Sequence, residues 1–166
     1  MIEAGLFVDE RLELLEGEIL QMPPQGSLHV TAVRLVEDEM RKAFGAGYEV
    51  RTQAPLALDP YSEPEPDIAV VPGTARDYRD AHPVTALLIA EVSDSTLGFD
   101  RRRKSALYAR AGIPEFWIVN LIDRCIEVFR KPEGDGYSFS RQFKPGESVT
   151  PLSAPDAEIR VADLLP

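Results

Sequence analysis

Short apolar segments separated by turns that contain proline and glycine predict a sheet of short strands. The predicted strands are residues 12–21, as a hairpin around Gly17, then 48–58, with a break at Pro55, and then 67–71, 86–93, 115–120 and 125–130. Residues 86–93 begin with a nearly continuous apolar run, which is typical of a strand that is buried on both faces. The tail, residues 131–166, is predicted to be a meander rich in loops, with room for one more hairpin.

Apolar residues at helical spacing predict two longer helices. The first covers about residues 28–44, with Ser27 as its predicted N-cap. The second covers about residues 97–111 and ends before Gly112, because glycine commonly follows the last residue of a helix. The order strand, helix, strand over 86–120 is a βαβ unit, so its two strands are predicted to be parallel.

Length and composition are those of a globular domain. The chain has 166 residues, of which 44% are hydrophobic and 28% are charged, and a domain usually contains about 100–200 residues. We predict a single domain, residues 1–166, of the α+β class with an α/β-like core, in which helices flank a mixed β-sheet.

No segment suggests a membrane span or an export signal. The longest uninterrupted apolar run, residues 86–90, is too short to cross a bilayer. Met1–Phe7 has neither the basic start nor the long apolar stretch of a signal peptide. We therefore expect a cytoplasmic protein with no membrane partner.

Charge and cysteine content narrow the classes of function. The 18 basic and 28 acidic residues give a net charge of −10, and nucleic-acid phosphates repel an acidic chain, which argues against a simple non-specific binder. Residues 99–110 nevertheless carry five basic residues against Asp100. This helix is either a phosphate-facing patch or a solvated face. Cys125 is the only cysteine, which excludes an intramolecular disulfide and a multi-cysteine zinc site.

Three charged residues stand where a hydrophobic core is expected. Glu91 follows the apolar run near the end of the most buried predicted strand, and a buried carboxylate needs a partner, a proton or a metal. Asp67 opens another strand directly after a proline, and Lys104 lies on the inward stripe of the second helix. The simpler interpretations are a salt bridge or edge position for Glu91 and a turn residue for Asp67. For Lys104 they are a pair with Asp100 or a side chain that extends to solvent.

Taken together, the three residues predict a metal-dependent site that cleaves phosphodiesters. Carboxylate oxygens bind Mg²⁺, and the metal polarises the phosphate and lowers the pKa of a bound water. A lysine can stabilise the charge that develops on the phosphate or help to orient the water. We therefore predict Asp67 and Glu91 as ligands of Mg²⁺ or Mn²⁺, and Lys104 as the residue that assists catalysis.

Three longer segments carry a resemblance to a known family. The segments LELLEGEILQMPPQGSLH, EPEPDIAVV and ALLIAEVSDSTLGFDRRRKSALYARAGIPEFWIVN resemble the Uma-two family of endonucleases in the restriction-endonuclease-like PD-(D/E)XK superfamily. The similarity extends from about Glu13 to the C-terminus. It implies a restriction-endonuclease-like fold and an endonuclease that acts on nucleic acid, with DNA as the expected form. Because many small nucleases of the superfamily dimerise, it also implies a homodimer.

The resemblance also implies roles for individual residues. Asp67 matches the aspartate of the Pro-Asp motif, and Glu91 matches the acidic residue of the (D/E)XK half-motif. The lysine of that half-motif would stand at position 93, where this chain has Ser93. Lys104 is therefore interpreted as a catalytic lysine that has moved to the following helix. Supporting roles are expected for three further residues, with the last of them orienting Lys104: Glu13, His29 and Asp100.

In the first helix the resemblance favours His29 over Glu37 as a residue of the site. Superfamily nucleases often use a glutamate of this helix as an additional metal ligand. Glu37 is on the correct side of the helix, but it lies about 12 Å along the axis from His29. His29 ranks higher because it matches the family, and a structural histidine near the start of the helix is the alternative.

A second class of function is also open at this point. A homodimeric interaction module that keeps the nuclease fold without catalysis agrees with the charge of −10 and with the lack of a separate DNA-binding domain, since fold does not imply activity. A nuclease that acts on RNA, or on modified or damaged DNA, fits the same residues. The amino-acid sequence does not indicate which nucleotide sequence, if any, the protein prefers.

Overall fold

A six-stranded mixed sheet forms the centre of the protein in the computed structural model, which describes residues 11–166. The long helix α1 covers one face, and a helix that contains a π-helical turn covers the other. In chain order the elements are β1 (Leu12–Leu15), β2 (Glu18–Gln21), α1 (Ser27–Phe44), β3 (Tyr48–Thr52), β4 (Ile68–Pro72), a 3₁₀ turn (Ala75–Tyr78), β5 (Leu88–Ser93), α2 (Leu97–Phe99), the π-helical turn (Asp100–Lys104), α3 (Ser105–Arg110), β6 (Glu115–Asn120), β7 (Cys125–Glu133), β8 (Gly136–Phe143), β9 (Ser148–Val149), β10 (Ile159–Arg160) and α4 (Val161–Leu164).

The strand order of the sheet is β3-β4-β5-β6-β7-β8. Strands β5 and β6 are parallel, while the other neighbouring pairs are antiparallel. The parallel pair and the helix between its strands confirm the predicted βαβ unit. The predicted mixed sheet flanked by helices is confirmed as well.

Each face of the sheet has its own apolar core. Residues of α1, among them Val36 and Met40, pack with Trp117 on one face, and all three side chains are fully buried. On the other face Tyr108 packs edge-on against Phe116, with 5.1 Å between the ring centroids. The helix that provides Tyr108 is thereby fixed to the sheet beside β5.

Several predicted boundaries are wrong. The predicted strand 48–58 ends at Thr52, because Gln53 adopts a positive φ of 49° and its N–H turns to the carbonyl oxygens of the segment before β4. Ser27 is the first residue of α1 and not its cap, since the extended residue before the helix is Gly26. β8 pairs with β7 in a hairpin, as the prediction of a further hairpin in the tail allows, but β7 extends to Glu133, beyond its predicted end at residue 130.

Gly112 ends the π-containing helix, α2 to α3, in a left-handed conformation with φ 73°. Its N–H donates to the carbonyl oxygen of Ala109 at 3.0 Å. We expect Gly112→Ala to lower the free energy of unfolding by about 1 kcal/mol, because a Cβ atom disfavours positive φ. The matched control is Gly136→Ala in β8, where φ is not positive and a Cβ meets open space. Urea denaturation measures both variants, and equal destabilisation would contradict the prediction.

No helix of the part that the structure describes is long and apolar enough to cross a membrane. Met1–Phe7, for which no signal peptide is predicted, lies outside the described residues.

Candidate active site

The two predicted metal ligands are neighbours at one end of the β4–β5 pair. Ile68 and Ala90 are partners in this antiparallel pair, so the next residues outward, Asp67 and Glu91, also face each other. The backbone N–H of Asp67 donates to Glu91 Oε2 at 3.2 Å, and the N–H of Val92 donates to Asp67 Oδ2 at 2.8 Å. Each carboxylate is therefore held by the backbone of the other's strand.

Lys104 reaches the same place from the helix. Its Nζ atom lies 3.0 Å from Glu91 Oε1 and 2.6 Å from Glu13 Oε1, and the residue is 2% exposed. The hydroxyl of Tyr108 donates to Glu91 Oε1 at 2.6 Å. Lys104 ends the π-helical turn, and such turns are frequent at functional sites. The structure thus brings Lys104 together with both predicted carboxylates, while their catalytic and metal-binding roles stay predictions.

Glu13 joins the β1–β2 hairpin to this cluster. Its Oε1 atom accepts hydrogen bonds from Lys104 Nζ and from the backbone N–H of Glu65, the latter at 2.7 Å. The residue is 2% exposed. One ammonium therefore serves two buried carboxylates, those of Glu13 and Glu91.

His29 lies in the cluster and Glu37 does not. His29 Nε2 is 3.2 Å from Asp67 Oδ2, and its Nδ1 atom is buried without a hydrogen-bond partner among the described residues. Glu37 instead forms ion pairs on the helix surface with Arg34 and Arg41. This placement agrees with the choice of His29 over Glu37.

Asp100 contacts the strand and not the lysine. Its Oδ2 atom accepts hydrogen bonds from the hydroxyls of Ser93 and Thr96, the second at 2.8 Å. Within residues 11–166, no hydrogen bond or ion pair joins Asp100 to Lys104, so neither the expected direct orientation nor the surface pair is seen. The reason is geometric, because the carboxylate turns towards position 93, where the half-motif would have its lysine.

Two residues of the cluster were missed by the sequence reasoning. Tyr108 lies one turn beyond Lys104 on the same inward stripe, so its position was the available signal. Gln53 donates from Nε2 to Asp67 Oδ1 at 3.2 Å. It had no such signal, since the contact depends on its unusual backbone conformation.

The pKa values of Glu91 and Lys104 are both raised, although for different reasons. Burial raises the pKa of Glu91 to about 8, although the charge of Lys104 opposes the shift. Burial by itself would lower the pKa of Lys104, but attraction to Glu91 and Glu13 outweighs it and raises that pKa. Lys104 is therefore an ammonium at neutral pH, while Glu91 binds a proton readily.

His29 and Asp67 form a second pair, in which each residue stabilises the charged form of the other. Burial alone would raise the pKa of Asp67, but the hydrogen bond and charge of His29 lower it below its usual value. Burial alone would lower the pKa of His29, but Asp67 raises it above its usual value. The imidazolium form of His29 is thus stabilised next to an ionised Asp67.

All six residues singled out from the sequence line one cavity of about 310 Å³. They form its charged floor: Glu13, His29, Asp67, Glu91, Asp100 and Lys104. Its other walls come from β2, the connection between β2 and α1, and the start of the helix after β5. The cavity is therefore a pocket with ionisable groups gathered on one side.

The carboxylates of the floor are chemically suited to Mg²⁺ or Mn²⁺. Among residues 11–166, no three His, Cys, Asp or Glu side chains are grouped so as to hold a metal ion by themselves. Mg²⁺, however, commonly takes only one or two carboxylates, together with water and phosphate oxygens. Asp67 Oδ1 and Glu91 Oε2 each accept a single long hydrogen bond of 3.2 Å from described residues, so both oxygens keep a lone pair.

Three of the four arginines on the helix after β5 are in ion pairs. Arg101 pairs with Glu127, and two further arginines pair with carboxylates of the hairpin and of the β7–β8 turn. These two are Arg103 and Arg110. Acidic residues distant in sequence therefore neutralise three of the four arginines, while no ion pair of the exposed Arg102 is seen within residues 11–166. The phosphate-facing patch stays a prediction.

Comparisons with known proteins agree with this architecture. The family model Uma2, described as "Putative restriction endonuclease", matches residues 7–162. A solved structure described as a "putative nuclease belonging to DUF820" from Anabaena variabilis superposes with a TM-score of 0.76. The two chains are 15% identical over 95% of this chain and 90% of the other, so the likeness shows a common fold.

A second solved structure is only partly similar. The type IIG restriction endonuclease BpuSI is 20% identical over 66% of this chain and 12% of its own, with a TM-score of 0.42, a value too low to establish a shared fold. No curated protein matches the sequence. The family match and the first structure confirm the resemblance and the restriction-endonuclease-like fold predicted from the sequence.

Proposed function

The chain belongs to the Uma2 family, and from this premise we propose that it is a metal-dependent nuclease that hydrolyses phosphodiester bonds, with DNA as its substrate. The observation that carries the proposal is the contact of Lys104 Nζ with Glu91 Oε1 at 3.0 Å, beside Asp67, in a pocket open to a ligand. Two carboxylates and an ammonium suit phosphoryl chemistry, because they can hold a metal and stabilise negative charge.

Asp67 and Glu91 are the residues that would hold the metal. When bound, Mg²⁺ or Mn²⁺ supplies a Lewis acid for the phosphate and lowers the pKa of a bound water. His29 and Gln53 hold the two oxygens of Asp67 in position. The hydroxyl of Tyr108 holds Glu91 Oε1 in position.

Lys104 acts in this proposal as a cation and not as a base. Its pKa is raised by the carboxylates of Glu91 and Glu13, so it stays protonated over the range in which nucleases work. The ammonium can donate hydrogen bonds to a phosphate oxygen or to the attacking water. Glu13 keeps the ammonium at the floor of the pocket through its 2.6 Å contact.

A non-catalytic interaction module is the second candidate, favoured by the net charge of −10 and by the paired arginines of the helix. A homodimer and a cytoplasmic location stay predictions under either function. Sedimentation equilibrium of the purified chain tests the dimer.

Cleavage of labelled oligonucleotides in Mn²⁺ separates the two functions. We expect the wild-type chain to cut and EDTA to stop the reaction. We also expect Glu91→Gln to lose the activity, because the amide removes a ligand charge. Glu133→Gln, at an exposed glutamate of β7, is the matched control and should cut like wild type. A folded wild-type protein that cleaves neither single-stranded, duplex nor branched DNA would reject the nuclease in favour of the module.

Mn²⁺ affinity is expected to rise with pH. Glu91 has a pKa of about 8 without metal, and metal binds the deprotonated form. Below this pKa the metal must displace a proton, so affinity should fall by up to about tenfold per pH unit and level off above it. Isothermal titration calorimetry in buffers of different ionisation enthalpy counts the released proton. A Mn²⁺ affinity that does not change with pH, together with no release of a proton on binding, would contradict the prediction.

A further inference from the structure

The groups that would perform the chemistry lie deep in the pocket. Asp67, Glu91 and Lys104 are 6%, 4% and 2% exposed, respectively. The connection between β2 and α1, residues 22–26, forms one wall above them, and Phe99 stands in another. A phosphodiester must therefore enter the pocket to reach the carboxylates, since the floor does not lie on an open surface.

Above the charged floor, the lining holds apolar side chains together with the polar ones of Gln21, Gln25, Ser95 and Thr96. The apolar side chains of the walls are Leu20, Met22, Pro23, Pro24 and Phe99. Nucleobases bind to aromatic and apolar surfaces by stacking and contact, largely without regard to sequence. The volume of about 310 Å³ is at the lower end of pockets that enclose small ligands. The pocket thus offers an apolar surface for one base and a charged floor for the phosphate beside it.

A continuous duplex does not meet these conditions. Its bases are paired and stacked inside, so a nucleotide must leave the stack before its base can enter a pocket. Extruding a paired base costs a few kcal/mol, and an unpaired base avoids most of this cost.

The charges around the pocket do not compensate for that cost. Proteins that hold duplex DNA tightly do so mainly through many lysine and arginine contacts to phosphates. Here Arg101 and Arg103 on the adjacent helix are in ion pairs with glutamates, and Asp94 is exposed at the pocket. Arg102 is the one arginine of this helix without an ion pair within residues 11–166, so the surroundings offer few free cations to hold a rigid duplex in place.

We propose that this pocket accepts an unpaired nucleotide, so that the substrate is single-stranded DNA or the unpaired segment of a branched duplex. The inference rests on the proposed function, whose substrate it specifies. The observation that supports it is the position of apolar side chains in the pocket wall, from Phe99 and the β2–α1 connection. They lie in the same pocket as the buried Asp67, Glu91 and Lys104.

Binding tests the inference without any need for catalysis. Fluorescence anisotropy compares a short single strand with the blunt duplex of the same sequence, in Ca²⁺, which also binds carboxylate oxygens. We expect the wild-type chain to bind the single strand at least about tenfold more tightly, a difference of about 1.4 kcal/mol. Equal binding of the two, tighter binding of the duplex, or no binding of either would overturn the inference.

Phe99→Ser tests the wall itself. We expect it to weaken single-strand binding by about tenfold or more, since stacking contributes about 1–3 kcal/mol per base. Phe139→Ser, at another partly exposed phenylalanine on the edge strand β8, is the matched control and should bind like wild type. Circular dichroism confirms that both variants are folded. If the two variants bind the single strand with the same affinity, Phe99 does not contribute a stacking surface for the base.

Cleavage of the same oligonucleotides in Mn²⁺ distinguishes the two proposals. Single-strand binding without cleavage of any substrate supports the pocket inference and rejects the nuclease. Cleavage of the blunt duplex as fast as the single strand supports the nuclease and rejects the unpaired substrate.

Discussion

Lys104→Met is expected to lower the rate of DNA cleavage by about 10²–10³-fold, the usual effect of removing one group that stabilises transition-state charge. Methionine keeps the apolar stem of the side chain but removes the ammonium, which lies 2.6 Å from Glu13 and 3.0 Å from Glu91. Steady-state kinetics in Mn²⁺ measure the loss. Lys144→Met, at an exposed lysine after β8, is the matched control.

The same variant is expected to be less stable by about 3–5 kcal/mol near neutral pH, because it leaves buried carboxylates without their cation. The double variant Lys104→Met/Glu13→Gln removes one of the two carboxylates. It should regain stability without regaining activity. Wild-type kinetics in Lys104→Met would contradict the proposed role of the lysine.

Asp67→Asn is expected to lower cleavage by about 10³-fold, because a bound metal contributes several kcal/mol to the transition state. Asparagine keeps the shape of the side chain and one carbonyl oxygen, but it removes the charge that faces His29 at 3.2 Å. Mn²⁺ affinity should fall with the activity, and calorimetry measures it directly.

Two comparisons make the Asp67 experiment specific. Asp156→Asn, at an exposed aspartate of the C-terminal segment, should match wild type in both affinity and rate. An Asp67→Asn protein that binds Mn²⁺ as tightly as wild type would remove Asp67 from the metal site.

The core of the site could be predicted because its residues conflict with their surroundings. Glu91 interrupts an apolar strand, and Lys104 interrupts the apolar stripe of a helix. Such conflicts are visible in the sequence, since burial of a charge requires a partner. The register of β4 and β5 then explains why Asp67 lies beside Glu91.

The remaining contacts depend on packing that no local pattern encodes. Glu13 meets Lys104 across 91 positions of the chain, because the β1–β2 hairpin docks near the helix through a bridge between Leu14 and Glu63. The same hairpin brings the carboxylates that neutralise Arg103. The sequence shows which arginines share a helix, but it does not show which acidic residues fold against them.

The hydrogen bond between Ser93 and Asp100 bears on whether position 93 of the strand could hold a lysine in place of Lys104. Ser93 is fully buried, and its hydroxyl donates to the Asp100 carboxylate. A lysine reintroduced there would bring a second cation beside Lys104 and displace the serine that holds the helix to β5. Ser93→Lys and Lys104→Ser are therefore expected to be epistatic, each harmful alone, so that moving the amine to the strand would need compensating substitutions at both positions.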